Sequence, residues 1–168
     1  MTMKRRIAGY VKLAELWNKR RAQALAYHQD YFTKMFADSD TDVLVGTYID
    51  ITGNKSIKKR PQMIRLLSDC ASGKVDIIYS QTKGYLAANT REFCYLIKFI
   101  FELDTQVDIL TEDFHYHMDT LDENDNQREE LYRMASEYCH LTLSDYSAWK
   151  GEIQKAIKKL KGSEKVDG

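Results

Sequence analysis

Arg6-Ile7-Ala8-Gly9-Tyr10-Val11-Lys12-Leu13-Ala14-Glu15 is the stretch that decides the fold. Ile7 to Leu13 is a short run of apolar and β-branched residues bounded by polar ones, which predicts a strand. Val43 to Ile51, Val75 to Ser80 and Val107 to Thr111 repeat the signature. Helical stretches lie between these runs. Ala14 to Phe36 has few β-branched residues and no proline, Pro61 suits the first turn of a second helix, and Asn89-Thr90 can cap a third that runs to Leu103. Strand and helix therefore alternate, which predicts an α/β fold: a mainly parallel sheet of four to five strands flanked by helices in three layers.

A last helix is expected over about Gln127 to Leu160. Leu131, Met134, Tyr138, Trp149, Ile153 and Ile157 fall near a three-and-four spacing along it, and His140 to Asp145 is a place for a kink. The expected organisation is an α/β unit over 1–120, an acidic linker over 121–126, a long helix over 127–161 and a frayed tail over 162–168.

Composition sets weaker limits. The chain has 168 residues, 43% of them hydrophobic, which suffices for one domain with an ordinary core. Its 25 basic and 25 acidic side chains cancel, so no global field draws it to phosphate, and any affinity for DNA must come from a local patch. Cys70, Cys94 and Cys139 are odd in number, widely spaced and without a CxxC pair. They read as buried thiols in a reducing compartment. No run approaches the roughly 18 apolar residues of a membrane span. A cytoplasmic location is the expectation.

Four stretches carry a resemblance to a known family. The opening strand resembles that of serine recombinases, the resolvase and invertase family with its large-integrase branch, which reads roughly Tyr-x-Arg-Val-Ser-Thr. Lys12 stands at the arginine and Ala14 at the serine whose hydroxyl attacks DNA phosphate. Tyr48-Ile-Asp50 followed by Lys59-Arg60-Pro61 is similar to the family's Tyr-x-Asp and Arg-Pro segment, which makes Arg60 the one retained active-site arginine. Gly73 to Glu92 resembles the family's Gly-x-x-Asp-x-Ile and Arg-Phe-x-Arg-Asn-Thr stretch, with Tyr85 and Ala88 at two phosphate-gripping arginines and Gly84 at an acidic or hydroxyl position. Met134 to Lys158 is similar to the long helix that follows the catalytic domain in the large-integrase branch. The resemblance thus implies a resolvase-like fold of DNA recombination with a degenerate site at Lys12, Ala14, Arg60, Gly84, Tyr85 and Ala88.

Phosphoryl transfer to a side-chain hydroxyl needs an oxygen in line with the scissile bond and cations that offset charge on the phosphate. Ala14 has no oxygen, and lysine cannot fork across two phosphate oxygens as arginine does. Ser80, Thr82, Tyr79 and Tyr85 are the alternative hydroxyls at the same sheet edge. Arg60 could equally cap or pair within its own loop, and Asp50 reads as local support.

Other motifs admit two readings each. His115-Tyr116-His117, with Asp113 and Asp119 nearby, could ligate a metal from one face of a strand, but no matching Cys or His pair accompanies them, so exposed loop histidines are expected rather than a metal. Tyr27, Tyr31, Tyr132, Tyr138 and Tyr146 could stack bases, with core packing the default. Lys150, Lys155, Lys158, Lys159 and Lys161 crowd the end of the last helix. They suit its dipole and solvation, or contact a DNA backbone without reading bases. Tyr138, Trp149, Ile153, Ile157 and Leu160 are expected to stand on a helix projecting past its domain, exposed and in need of a partner.

Three functional readings follow: a noncatalytic relative that associates with itself as a dimer or tetramer or with an active serine recombinase, a working strand-exchange subunit, and a mobile-element remnant. No cofactor and no membrane partner is expected, and weak sequence-independent DNA binding is.

Overall fold

The structure, a computed structural model, describes residues 3–53, 56–113, 118–124 and 126–167. His115 and His117 lie outside the described residues. Among the described ones no group of three or more His, Cys, Asp or Glu is placed to hold a metal ion.

Four strands, β1 (Arg5–Leu13), β2 (Asp42–Ile51), β3 (Ile77–Ser80) and β4 (Asp108–Thr111), form one sheet in the order β2-β1-β3-β4. Every pairing is parallel. Two arginines pin the start of β1 to its neighbours. Arg5 Nε donates to Asp42 Oδ1 at 2.7 Å on the β2 side, and Arg6 grips Asp76, just before β3, through Nε and Nη2.

Helices cover both faces, as a parallel sheet requires. Helix α1 (Arg21–Phe36) packs Phe32 and Ala24 on Val11, Leu13 and Ile49. Gly9 permits the approach: a Cβ there would stand 2.8 Å from the Phe32 ring. The other face carries α2 (Pro61–Ala71) and α4 (Thr90–Phe101), with the short α3 (Lys83–Leu86) between β3 and α4. Met63, Leu66, Leu67 and Cys70 repeat at helical spacing on α2 and are fully buried, each apolar side chain contributing about 1.5–3 kcal/mol. Asn89 caps α4, accepting from the Glu92 N–H at 2.9 Å. All three cysteines are free and buried.

The C-terminal region departs from expectation. Instead of one long helix there are two, α5 (Gln127–Leu141) and α6 (Leu143–Asp167), interrupted at Thr142 inside the stretch expected to kink. Helix α5 packs on α4, and α6 packs on α2 and α4. Trp149 and Ile157 are 8% and 9% exposed and Ile153 is sealed, which corrects the expectation of a bare projecting face. The physical reason is an aromatic seat: Trp149 lies against Tyr95, Phe99 and Tyr146, with centroids 5.6, 6.1 and 6.2 Å away. Its indole N–H donates to Glu92 Oε2 at 3.1 Å, and Lys58 Nζ pairs with Glu152 at 2.9 Å. Tyr138 and Leu160 are half-buried at the edge of the same cluster. Thr120, just before the segment expected as a linker, is tied to β4, its Oγ1 donating to Asp108 at 2.7 Å. Helix α6 also continues to Asp167, through residues expected to fray.

Candidate active site at the carboxyl edge of the sheet

The chain crosses from β1 to β2 through α1 on one face and reaches β3 through α2 on the other, so the strand order reverses between β1 and β3. In open parallel sheets ligands bind outside the carboxyl ends of the strands at such a switch point. Ala14 follows β1 there, exposed, with extended backbone (φ −63°, ψ 150°), and its carbonyl accepts from the Trp17 N–H at 3.0 Å. Lys12, half-buried, stands opposite Asp50 of β2. Across the switch point α3 packs on β1. It carries Gly84 and Tyr85, and Ala88 is exposed just beyond it.

Arg60, read from sequence either as a phosphate ligand or as a cap or pair within its own loop, is fully buried. Its Nη1 donates to the carbonyls of Tyr85 and Leu86 at 2.9 and 3.0 Å, closing the last turn of α3 against the start of α2. The guanidinium thus satisfies carbonyls that a four-residue helix leaves open. In this arrangement it cannot reach a surface phosphate.

Asp50 holds the other half of this joint. It accepts from the Tyr10 hydroxyl at 2.8 Å and from the N–H groups of Gln62 and Met63, both at 2.9 Å. Those amides belong to the first turn of α2, whose N-cap position is Arg60, a residue with no capping oxygen. A remote carboxylate does that work, and it occupies the helix end that could otherwise receive an anion. Burial and the Asp50 charge push the Tyr10 phenol far above its ordinary pKa and keep it protonated.

The alternative hydroxyls at this edge are engaged. Ser80 is buried and donates to the Tyr10 carbonyl at 2.8 Å. Thr82 donates to Asp113 Oδ1 at 2.7 Å and accepts from the Gly84 N–H. Although burial acts the other way, the hydrogen bonds from Thr82 and the Lys83 N–H hold Asp113 below the usual carboxylate range. Tyr79 donates to Glu112 at 2.6 Å, and Tyr31 donates to the same carboxylate. The half-buried Tyr85 ring packs against both core clusters.

The edge therefore brings Lys12, Ala14, Gly84, Tyr85 and Ala88 to one side of the sheet, with Arg60 beneath them. Of the family's arginine positions here, Lys12 is half-buried, Arg60 is buried, and Tyr85 and Ala88 carry no cation. The roles of Asp113 and Glu92 carried no sequence signal. That of Asp50 did, because a proline-opened helix preceded by arginine requires a distant acceptor.

A family model described as "Resolvase, N terminal domain" matches residues 18–148. This chain belongs to the resolvase family. The match begins after β1, so the placing of Ala14 at the nucleophile position rests on the strand motif and its position at the switch point. Among solved structures, this resolvase-family chain is similar to the N-terminal catalytic domain of TP901-1 integrase, with 19% identity, a TM-score of 0.60 and coverage of 82% of this chain and 99% of that one. It is also similar to a resolvase family site-specific recombinase from Streptococcus pneumoniae, with 19% identity, a TM-score of 0.54 and coverage of 91% and 99%. At that identity the likeness speaks for the fold. No curated protein matches the sequence. Among the described residues no helix is long and apolar enough to cross a membrane.

Proposed function

We propose that this chain is a serine recombinase relative that has lost DNA cleavage and acts by associating with other subunits, either copies of itself or an active serine recombinase. The observation that carries the reading is the Ala14 methyl at the carboxyl end of β1, where the family's reaction requires an oxygen. Arg60 supports it, because its guanidinium holds backbone together rather than facing solvent. Losing one oriented donor costs about a hundredfold to a thousandfold in rate, and here the nucleophile is missing as well.

Association uses the outside of the helical pair. Leu141 and Leu143 flank the break between α5 and α6 at 83% and 57% exposure, and Met134 stands exposed on α5. Tyr138, three residues before Leu141 on α5, lies at the margin of this surface, while Trp149, Ile153 and Ile157 hold α6 in place from behind. Lys155, Lys158, Lys159 and Lys161 are exposed on α6 and Lys150 is half-exposed, a row suited to weak, salt-sensitive contact with a DNA backbone.

The test is recovery of tagged protein from its native cell in mild salt, followed by mass spectrometry of what accompanies it. Leu141→Asp/Leu143→Asp is the control, because these residues are exposed and their change leaves the core intact. The reading expects an active serine recombinase or untagged copies of the chain with the wild type and their loss with the variant. Recovery of neither, together with a monomer in sedimentation, contradicts it.

A further inference from the structure

Beside Ala14 lies a surface that the proposed association does not use. Trp17 and Tyr27, 44% and 64% exposed, flank a cavity of about 380 Å³ walled by Leu13 and Ala24. An adjoining depression is bordered by Lys19, Arg20 and Arg21, and Gln23 lines both. All three cations are exposed, and among the described residues none makes an ion pair. Arg20 and Arg21 donate to the neutral side chains of Gln23 and Asn18 at 3.4 and 3.2 Å. Glu15 is the single carboxylate between residues 14 and 29, so a chain of zero net charge carries a local positive excess here.

Two exposed aromatic side chains at the mouth of an apolar cavity, with cations alongside, complement a polyanion that bears flat apolar rings. We propose that this surface binds single-stranded nucleic acid, with bases stacked on Trp17 and Tyr27 and phosphates held by Lys19, Arg20 and Arg21. A duplex offers the cations phosphate but keeps its base faces stacked inside, so the rings gain nothing from it. An acidic peptide matches the charge yet supplies no flat partner for either ring. The site uses neither Arg60 nor α6, and it stands whether or not cleavage has been lost.

The protein has two tryptophans, and Trp149 is buried, so emission changes on binding report Trp17. The whole chain is titrated at low salt with oligothymidylate of about twenty nucleotides, with a duplex of the same length and with polyglutamate. Fluorescein-labelled strand gives the affinities of variants by anisotropy. Expected are quenching by the single strand, binding to it at least about tenfold tighter than to the duplex, and a loss of about tenfold or more in Trp17→Ala/Tyr27→Ala. Arg20→Gln/Arg21→Gln is expected to flatten the log-log salt dependence by about 1.4, from roughly 0.7 per phosphate contact. All four side chains are exposed, and an unchanged circular dichroism spectrum confirms each variant's fold. The proposal is overturned by tighter binding to duplex, by equal quenching with polyglutamate, which would mark a protein-docking site, or by full strand affinity in the aromatic double variant.

Discussion

Arg60 shows how a residue type that signals chemistry can serve architecture. An arginine before a proline, in a segment resembling an active site, reads as a phosphate ligand, yet its neighbours in space are two carbonyls and a helix end. Removing it strands those carbonyls in the core, at about 1–3 kcal/mol for each buried acceptor left unsatisfied. Arg60→Met is therefore expected to lower unfolding stability by roughly 2–6 kcal/mol in urea denaturation. A phosphate ligand at the surface would give a change within about 0.5 kcal/mol. Ala14 is legible in a different way. An absent oxygen can be read from sequence, whereas the occupation of Ser80 and Thr82 by Tyr10 and Asp113 depends on partners 70 and 31 residues away and leaves no local trace.

At the scale of elements, strand positions are legible because apolar runs in a parallel sheet are compact and bounded. All four expected strands form, with boundaries shifted by at most two residues. The C-terminal helices are legible as helices but not in their placement. Trp149, Ile153 and Ile157 form an apolar stripe, and a stripe says only that something covers it. Its cover is α2 and α4 of the same chain, built around Tyr95 and the Glu92 carboxylate, which share no motif with α6. Trp149→Ala should accordingly cost about 3–5 kcal/mol of stability, as for other buried aromatics truncated to alanine. Leu141→Ala, at an exposed corner, should change stability by less than about 0.5 kcal/mol. Thermal unfolding followed by circular dichroism separates the two. Equal, small effects would mean that α6 is not seated as described.

For the whole molecule, linked protonation predicts how stability varies with pH. Arg6 holds Asp76 below the usual carboxylate range, and Asp113 and Glu102 are held low by their hydrogen bonds against the opposing effect of burial. Groups with depressed folded pKa values stabilise above their unfolded values, near 4, and that stabilisation is lost as pH falls through the folded ones. His28 is shifted down by burial, so the unfolded chain takes up its proton first as pH falls through about 6.5. The expected profile is level between about pH 7 and 8, declines gently below about 6.5, falls steeply below about 4, and falls again above about 8.5, where the unfolded chain loses thiol protons that buried Cys70, Cys94 and Cys139 retain. Urea unfolding across this range checks it, and His28→Gln should remove the first decline while leaving the second. A stability that rises on acidification between pH 7 and 5 would reverse the assigned sign for His28.

These features describe a resolvase fold whose sheet, helix ends and joints are intact, and in which the proposed function takes Ala14 to stand where the reacting oxygen belongs. The most direct measurement is made on protein expressed in its native cell, quenched at once in denaturant, digested with nuclease and weighed intact by mass spectrometry. Wild type and Ala14→Ser are compared, with an active serine recombinase carried through in parallel to show that covalent intermediates survive the quench. Both forms of this chain should be recovered at their unmodified masses. A nucleotide attached to the wild type would mean that another hydroxyl attacks DNA, and one attached to Ala14→Ser would mean that the missing oxygen was all the site lacked; either would contradict the loss of cleavage chemistry.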